Sequence, residues 1–394
     1  MAGADAAAAV PAPPPMAAPA RLLSLDAFRG FTIASMVLVN NPGDWGNLHA
    51  QLAHARWNGW TFTDTIFPFF LFIGGVSMAL SLGRLAEAGA SRPALLAKLW
   101  QRALVIFLIG LALNLIPHFN FDQVRIPGVL QRIAVCTMLA APIVLYFNWR
   151  GQLAWIAGLL GLYSALMLWM PVPGGAAGVL EPGRDLGAWL DRMVLGGHLW
   201  RQSQTWDPEG LLSTIPALCS QLMGVLAGRW LLTGHSKAEQ TVWMLLAGLL
   251  LLALGSTLDA ILMPINKSLW TSSFALFMGG WALLAFAAFY WLLDGTAHAD
   301  VRAAATRWAR PFVIYGVNAL FIFTLSGLVA KTLGALSSIG ADGAKVTLGR
   351  ALYAPLRALD IAPVNASLLY ALLFNAFMFG IAYLMWRKKW FVKV

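Results

Sequence analysis

Charge is scarce in this chain. Only 11% of its 394 residues are Asp, Glu, Lys or Arg, and 59% are hydrophobic. A soluble domain carries roughly 25% charged residues, so this balance excludes a soluble globular chain, and it equally excludes a disordered chain or a coiled coil. Cysteine is nearly missing. Cys136 and Cys219 both lie inside apolar runs, which leaves neither a disulfide framework nor a cysteine metal site. No glycine-rich phosphate loop, HExxH metal motif or GxSxG nucleophile elbow occurs. His49 and His54 stand five apart with no carboxylate or thiolate at ligand spacing, so no metal is expected.

What is present is a series of long apolar runs. A spanning helix needs about 20 such residues, and ten candidates run at about 25–41, 64–83, 98–116, 127–147, 152–170, 211–233, 240–260, 269–293, 311–333 and 364–386. The expected fold is therefore all-α: a polytopic membrane protein of about ten transmembrane helices forming one domain over residues 21–394. Residues 1–20 are almost wholly Ala and Pro and lack the basic segment and apolar core of a signal peptide, so they read as a disordered cytoplasmic tail. The long connections fall at about 42–63, 171–210 and 334–363.

Basic residues set the orientation. With the N-terminus inside, 16 of the 27 Lys and Arg but only 6 of the 17 acids face the cytoplasm. The entire net charge of +10 then lies on that face, and both termini are cytoplasmic. The positive-inside rule and anionic lipid account for most of this bias, so it requires no nucleic-acid partner. The remainder would suit a polyanionic cytoplasmic ligand.

A charge at mid-bilayer costs roughly 2.5–3.5 kcal/mol, so polar residues in spans mark interior contacts or a functional pathway. The first span carries Asp26 and Arg29, spaced to pair across one turn, and ends at Asn40. The following connection holds Asn41, Asp44, His49, His54, Arg56, Trp57 and Asn58, more polarity than a simple connector needs, and Asp64 opens the next span as a possible helix cap. Gln131 and Arg132 lie inside the fourth span, and Asn318 inside the ninth. Asp207 and Glu209 precede the sixth span and could simply complement its dipole. Asn266, Lys267 and Trp270 precede the eighth. In the alternating topology most of these gather toward the outer half. A histidine that can move a proton near neutral pH, set among amides and carboxylates, fits acyl transfer by general base catalysis or proton-coupled transport.

Five segments together, SLDAFRGFTIASMVLVNNPG, HARWNGWTFTDTIFPFFLFIGGVSMAL, GVLQRIA, DPEGLLSTIP and PINKSLWTSSF, resemble the heparan-α-glucosaminide N-acetyltransferase family in sequence and order. No single motif is specific, but the set is, and the similarity runs from about residue 21 to the C-terminus. The lysosomal member has a lumenal domain and an extra first helix where this chain has only the Ala/Pro tail, which marks it as similar to the bacterial relatives. The resemblance implies transfer of acetyl from cytosolic acetyl-CoA to a glucosamine amine on the far side of the membrane. It implies His54 as the active-site histidine, Asn40 as an essential asparagine at the end of the first helix, and Asp64 as the aspartate opening the second. It also implies a bacterial inner membrane as location, and a homodimer. Some relatives have been regarded as sugar transporters, which keeps an amino-sugar (N-acetylglucosamine) transporter as the alternative.

This yields a set of expectations. Acetyl-CoA phosphates would meet basic groups among Arg29, Arg84, Lys98 and Arg102, with Gln131 and Arg132 further along the path. An amino-sugar or glycan acceptor would meet Trp57, Asn58, Asp207, Glu209, Asn266, Lys267 and Trp270 at the outer mouth. His54 would act as general base or as a covalent acetyl carrier, Asn40 would donate to the thioester oxyanion, and Asp64 would orient His54. No metal is called for.

Overall fold

In lipid a backbone must satisfy its own hydrogen bonds, and a helix does so within one segment. The computed structural model follows that rule. It describes residues 22–87, 89–339 and 345–392, and among these it has thirteen α-helices and one small hairpin. The helices are α1 Leu23–Val39, α2 Phe62–Glu87, α3 Arg92–Leu115, α4 Val129–Tyr146, α5 Trp149–Trp169, α6 Leu186–Leu195, α7 Thr214–Leu231, α8 Lys237–Ile261, α9 Ser272–Tyr290, α10 Ala299–Val317, α11 Ala319–Ala335, α12 Leu348–Arg357 and α13 Pro363–Arg387. Strands β1 Ser337–Ile339 and β2 Lys345–Thr347 pair antiparallel between α11 and α12. The Ala/Pro tail expected at 1–20 and the side chain of Arg84 lie outside the described residues.

The chain is thus an all-α, multi-pass membrane protein, but its spans differ from the expected ten. Among the described residues, seven helices are long and apolar enough to cross a bilayer: α2, α3, α4, α5, α8, α9 and α13. The expected ninth span is broken. α10 and α11 meet at Asn318 at an angle of 73°, and together they make an eighth span only if counted as one. The first part of α10 is polar, with Asp300, Arg302, Arg307 and Arg310. The chain terminus closes the break. The Asn318 amide donates to the Trp390 carbonyl at 2.9 Å, and the Val392 N–H donates to Asn318 Oδ1 at 2.9 Å.

The expected spans 25–41 and 211–233 form α1 and α7, of 17 and 18 residues, and both fall outside that set of seven. Twelve residues of each are buried. Helices lined by protein rather than lipid need not be uniformly apolar, and these two carry Asp26, Thr32, Ser220 and Gln221 inside.

α2 forms the centre of the bundle. Its spanning stretch is 78% buried, against 22% for α3 and 17% for α8 at the periphery. Phe28, Phe274 and Phe286 pack with Phe72 of α2 in the main core. α7 approaches α2 to backbone contact: a Cβ on Gly224 would stand 2.0 Å from the Phe72 carbonyl oxygen, and one on Gly75 2.0 Å from that of Gln221. This close packing of α1, α2, α7 and α9 fixes the start of α2 beside the loops that lead into α7 and α9. Those loops carry the polar cluster.

Candidate active site

The second apolar run needs a start signal, and Thr61 and Asp64 provide one. Asp64 accepts from the Thr61 N–H at 3.0 Å, reaching back across the first turn of α2 as one half of a capping box. The same carboxylate also accepts from the Ala55 N–H at 3.0 Å, while its other oxygen lies 2.6 Å from His54 Nδ1. The capping and histidine-orienting roles weighed for Asp64 therefore coexist. Asp64 is 1% exposed and His54 49% exposed, so a buried carboxylate holds one edge of an open imidazole. With Nδ1–H donated to Asp64, Nε2 is left as the acceptor, which is the arrangement of an oriented general base.

Lys267 comes from the loop between α8 and α9. Its Nζ lies 3.2 Å from His54 Nε2 and 3.4 Å from Nδ1, so it sits against the ring rather than on one lone pair. Two contacts hold this loop to the His54 loop. The Asn266 amide donates to Asn58 Oδ1 at 3.2 Å, and the Gly59 N–H donates to the Ile265 carbonyl at 2.7 Å. Gly59 has φ +91°, a left-handed conformation that a side chain at this turn would strain. Asn266 also accepts from the Leu269 N–H, and it is fully buried.

Behind Lys267 lies an ion cluster. Arg125 reaches Asp207 through two hydrogen bonds, one of 2.8 Å from Nε, and also pairs with Glu209. Burial disfavours the Arg125 cation, yet Glu209 and Asp207 outweigh burial and hold it protonated beyond its ordinary range. Burial would likewise raise the Glu209 carboxyl, but Arg125, Lys267 and Arg132 together hold it below the usual carboxylate range. For Lys267 burial prevails and lowers the ammonium, against the pull of Glu209 and Asp64. Arg132 is buried, donates to the carbonyls of Pro208 at 3.0 Å and Gly210 at 2.9 Å, and lies over the Trp270 ring at 5.3 Å.

The structure thus gathers His54, Asn58, Asp64, Arg132, Asp207, Glu209, Asn266 and Lys267 around the start of α2, α4, α7 and α9, with changes in what each can do. Asp207 is buried and committed to Arg125, so its charge is met within the protein. Trp270 is fully buried with φ +51°, a strained position for a bulky residue, and its indole donates to Ser220 Oγ at 3.1 Å; it supports Arg132 from beneath. Trp57 is partly buried, donates to the Leu180 carbonyl and packs edge-on against Trp206. Asn40 ends α1 as an exposed C-cap, and its backbone N–H donates to the Met36 carbonyl. His49 lies apart, 3.1 Å from Asn365 of α13.

The residues expected to hold acetyl-CoA scatter. Arg29 pairs with Asp26 at 3.1 Å and donates to Ser77 Oγ at 2.8 Å. Lys98 and Arg102 are exposed along α3, and Gln131 and Arg132 are buried near the ion cluster. The end of the bundle far from His54 instead opens a cavity of about 1080 Å³ that contains Arg92, Arg229, Trp149 and Trp230. Leu82 of α2 lines it, 18 residues or about 27 Å along the helix from Asp64.

Sequence reasoning did not pick out Arg125, Arg92 or Arg229. An arginine just before an apolar run reads as interfacial, and only the fold sets Arg125 against two acids. Asp185 and Asp191, at and in α6, were also passed over. Both are buried, and burial raises both carboxyls, Asp191 to about 6.

Set against known proteins, residues 21–180 match the family described as heparan-α-glucosaminide N-acetyltransferase, catalytic. The human protein named heparan-α-glucosaminide N-acetyltransferase is 31% identical over 362 residues, covering 78% of this chain and 53% of its own length. The mouse protein of the same name is 30% identical over 358 residues, covering 77% of this chain and 53% of its own. The chain thus spans about half the length of the curated relatives it matches. Residues 21–180 thus match the catalytic part of the heparan-α-glucosaminide N-acetyltransferase family, and the similarity to its human and mouse members extends over more than three quarters of the chain.

Proposed function

We propose that this protein is a transmembrane N-acetyltransferase. It takes acetyl from acetyl-CoA at the end of the bundle lined by Arg92 and Arg229 and passes it to the amine of a glucosamine-type sugar at the end that carries His54. The first end is cytoplasmic and the second periplasmic, in a bacterial inner membrane. The observation that carries this reading is the His54–Asp64 pair, with Nδ1 fixed by a buried carboxylate at 2.6 Å and the ring itself half exposed.

In this reading His54 Nε2 takes a proton from the sugar amine as its nitrogen attacks the thioester carbon. A C–N bond forms, the C–S bond breaks, and the proton returns to the leaving sulfur to give the CoA thiol. Proton transfer of this kind is worth roughly 10²–10⁴ in rate. Lys267, against the His54 ring, is placed to meet negative charge developing on the thioester oxygen, a role the sequence suggested for Asn40. Arg92 and Arg229 suit the phosphates, and Trp149 and Trp230 offer flat apolar surface for the base. Acetyl-CoA acts as co-substrate, and no step calls for a metal.

The test uses sealed vesicles of known orientation. Acetyl-CoA labelled in the acetyl group, supplied on the Arg229 side, should label glucosamine on the His54 side. Movement of intact amino sugar without acetyl-CoA and without acetylated product would make the protein a transporter instead. Full activity with acetyl-CoA supplied only on the His54 side would refute the path.

A further inference from the structure

The polar cluster continues into a second cavity, for which acetylation of a soluble sugar has no use. It holds about 520 Å³ between α4, α5 and α7. At one end it is bounded by Gln131, Arg132 and Glu209, and at the other by Phe147 and Trp155. Arg132 and Phe147 are 15 residues apart along α4, about 22 Å. Between those ends the α4 wall is Val135, Leu139, Pro142 and Ile143, with no polar side chain, and Leu159 and Leu218 face it from α5 and α7. The groove is open at its flank, where Leu139, Phe147 and Trp155 are exposed on the surface that faces lipid.

An amino sugar is polar all round and gains nothing from such a wall, and the amide-bearing thioester arm of acetyl-CoA would leave its polar groups without partners along it. A hydrocarbon chain fits both the wall and the opening toward the bilayer. The polar end adds a second feature. Gln131 Nε2 and Arg132 Nε are buried donors without a partner, and both residues line the cavity. Gln131, Arg132 and Glu209 make this the one polar end of an otherwise apolar groove, which suits the junction of a polar head group and its tail. Glu209 joins this end to the reaction site, because it borders the groove and faces Lys267, whose Nζ is 3.2 Å from His54 Nε2.

We infer that the acceptor is a lipid-anchored amino sugar, whose acyl or polyprenyl chain lies in the α4–α5–α7 groove while its amine reaches His54. This rests on the acetyl-transfer reading and names its substrate class. The acceptor enters sideways from the bilayer, not from water.

Hexadecyl glucosaminide and free glucosamine are the probes, in nanodiscs, with labelled acetyl-CoA. An amphiphile concentrates in any bilayer, so the comparison is between wild type and variants that fill the groove, Leu139→Trp and Val135→Phe. Leu139 is exposed, so the larger ring there does not disturb packing. The variants should raise KM for hexadecyl glucosaminide about tenfold and leave kcat/KM for glucosamine within twofold. Unchanged KM for the alkyl substrate in both variants overturns the inference while leaving the transferase reading intact. A binding readout separates the two further. A photoreactive hexadecyl glucosaminide should label the Val135–Ile143 segment, with or without turnover. Labelling there without acetylation of either probe sinks the transferase reading and keeps the site. Equal labelling by a photoreactive phospholipid, not displaced by hexadecyl glucosaminide, shows bulk lipid in the groove and overturns the inference.

Discussion

The two ends of the bundle treat positive charge in opposite ways. At the His54 end Arg125 is locked between Asp207 and Glu209, and Lys267 is drawn toward Glu209 and Asp64. At the far end Arg229 donates only to the carbonyls of Val144 and Phe147, and Arg92 lies over the Tyr146 ring at 5.7 Å. Neither of these has a carboxylate partner among the described residues. A cation matched by buried acids is part of the architecture, and its removal strands those acids. A cation held by carbonyls and rings keeps its full charge for an anion from outside. The same residue type thus serves structure at one end and is available for a ligand at the other.

The sharpest way to break this contrast is at the reacting group. Asp64→Asn removes the carboxylate that fixes His54 Nδ1 and should lower kcat for acetyl transfer by at least about 100-fold, with KM for acetyl-CoA little changed. Initial rates with labelled acetyl-CoA, alongside a check that the variant elutes as folded protein, decide it. Activity above a tenth of wild type would mean that His54 needs no orienting partner.

Next comes the committed cation. Arg125→Met takes from the buried Asp207 and Glu209 their shared ion-pair partner and should cost on the order of 3 kcal/mol of stability, visible as a lower midpoint in detergent unfolding. If Arg125→Met is as stable as wild type, the ion cluster is not holding the α7 approach loop in place.

The far-end cations should behave differently. Arg92→Ala with Arg229→Ala should raise KM for acetyl-CoA about tenfold, flatten its dependence on salt, and leave the unfolding midpoint nearly unchanged. A loss of stability without a change in KM would place these arginines with Arg125 and remove the contrast between the ends.

The smallest expected effect concerns Asp191. Burial lifts its carboxyl to about 6 from an ordinary 3.8, so the folded protein binds a proton there that the unfolded chain does not, between roughly pH 4 and 6. Its contribution to stability therefore falls as pH rises through that window. Asp191→Asn should remove that slope. It should also stabilise the protein at neutral pH by on the order of 1 kcal/mol, once the weaker bond to the Leu211 N–H is set against the relief of a buried charge. Unfolding midpoints of both proteins at pH 4.5 and 7 provide the measurement.

Much of this molecule was written in its composition. Apolar runs of about 20 residues can only be helices in lipid, so the all-α, multi-pass architecture followed from hydropathy alone. The convergence of the His54 loop with the Asp207–Glu209 and Asn266–Lys267 segments was expected from alternation of ten spans, and the structure brings them together although its set of spans differs. The break at Asn318 was not legible, because hydropathy averages over a window and does not register that the polar start of α10 and the residues Trp390 and Val392 meet one side chain. Nor was the division of labour among arginines. Arg125, Arg132 and Arg229 look alike in sequence, each beside or inside an apolar run, and what separates them is the partner: two carboxylates, a tryptophan face with two carbonyls, or carbonyls alone. Sequence determined which segments are apolar enough to enter a membrane, because transfer free energy is a property of each residue taken singly. Only the tertiary structure decided which charges are neutralised and which remain available, because that depends on pairs brought within a few ångströms from segments as distant as Arg125 and Glu209 or His54 and Lys267.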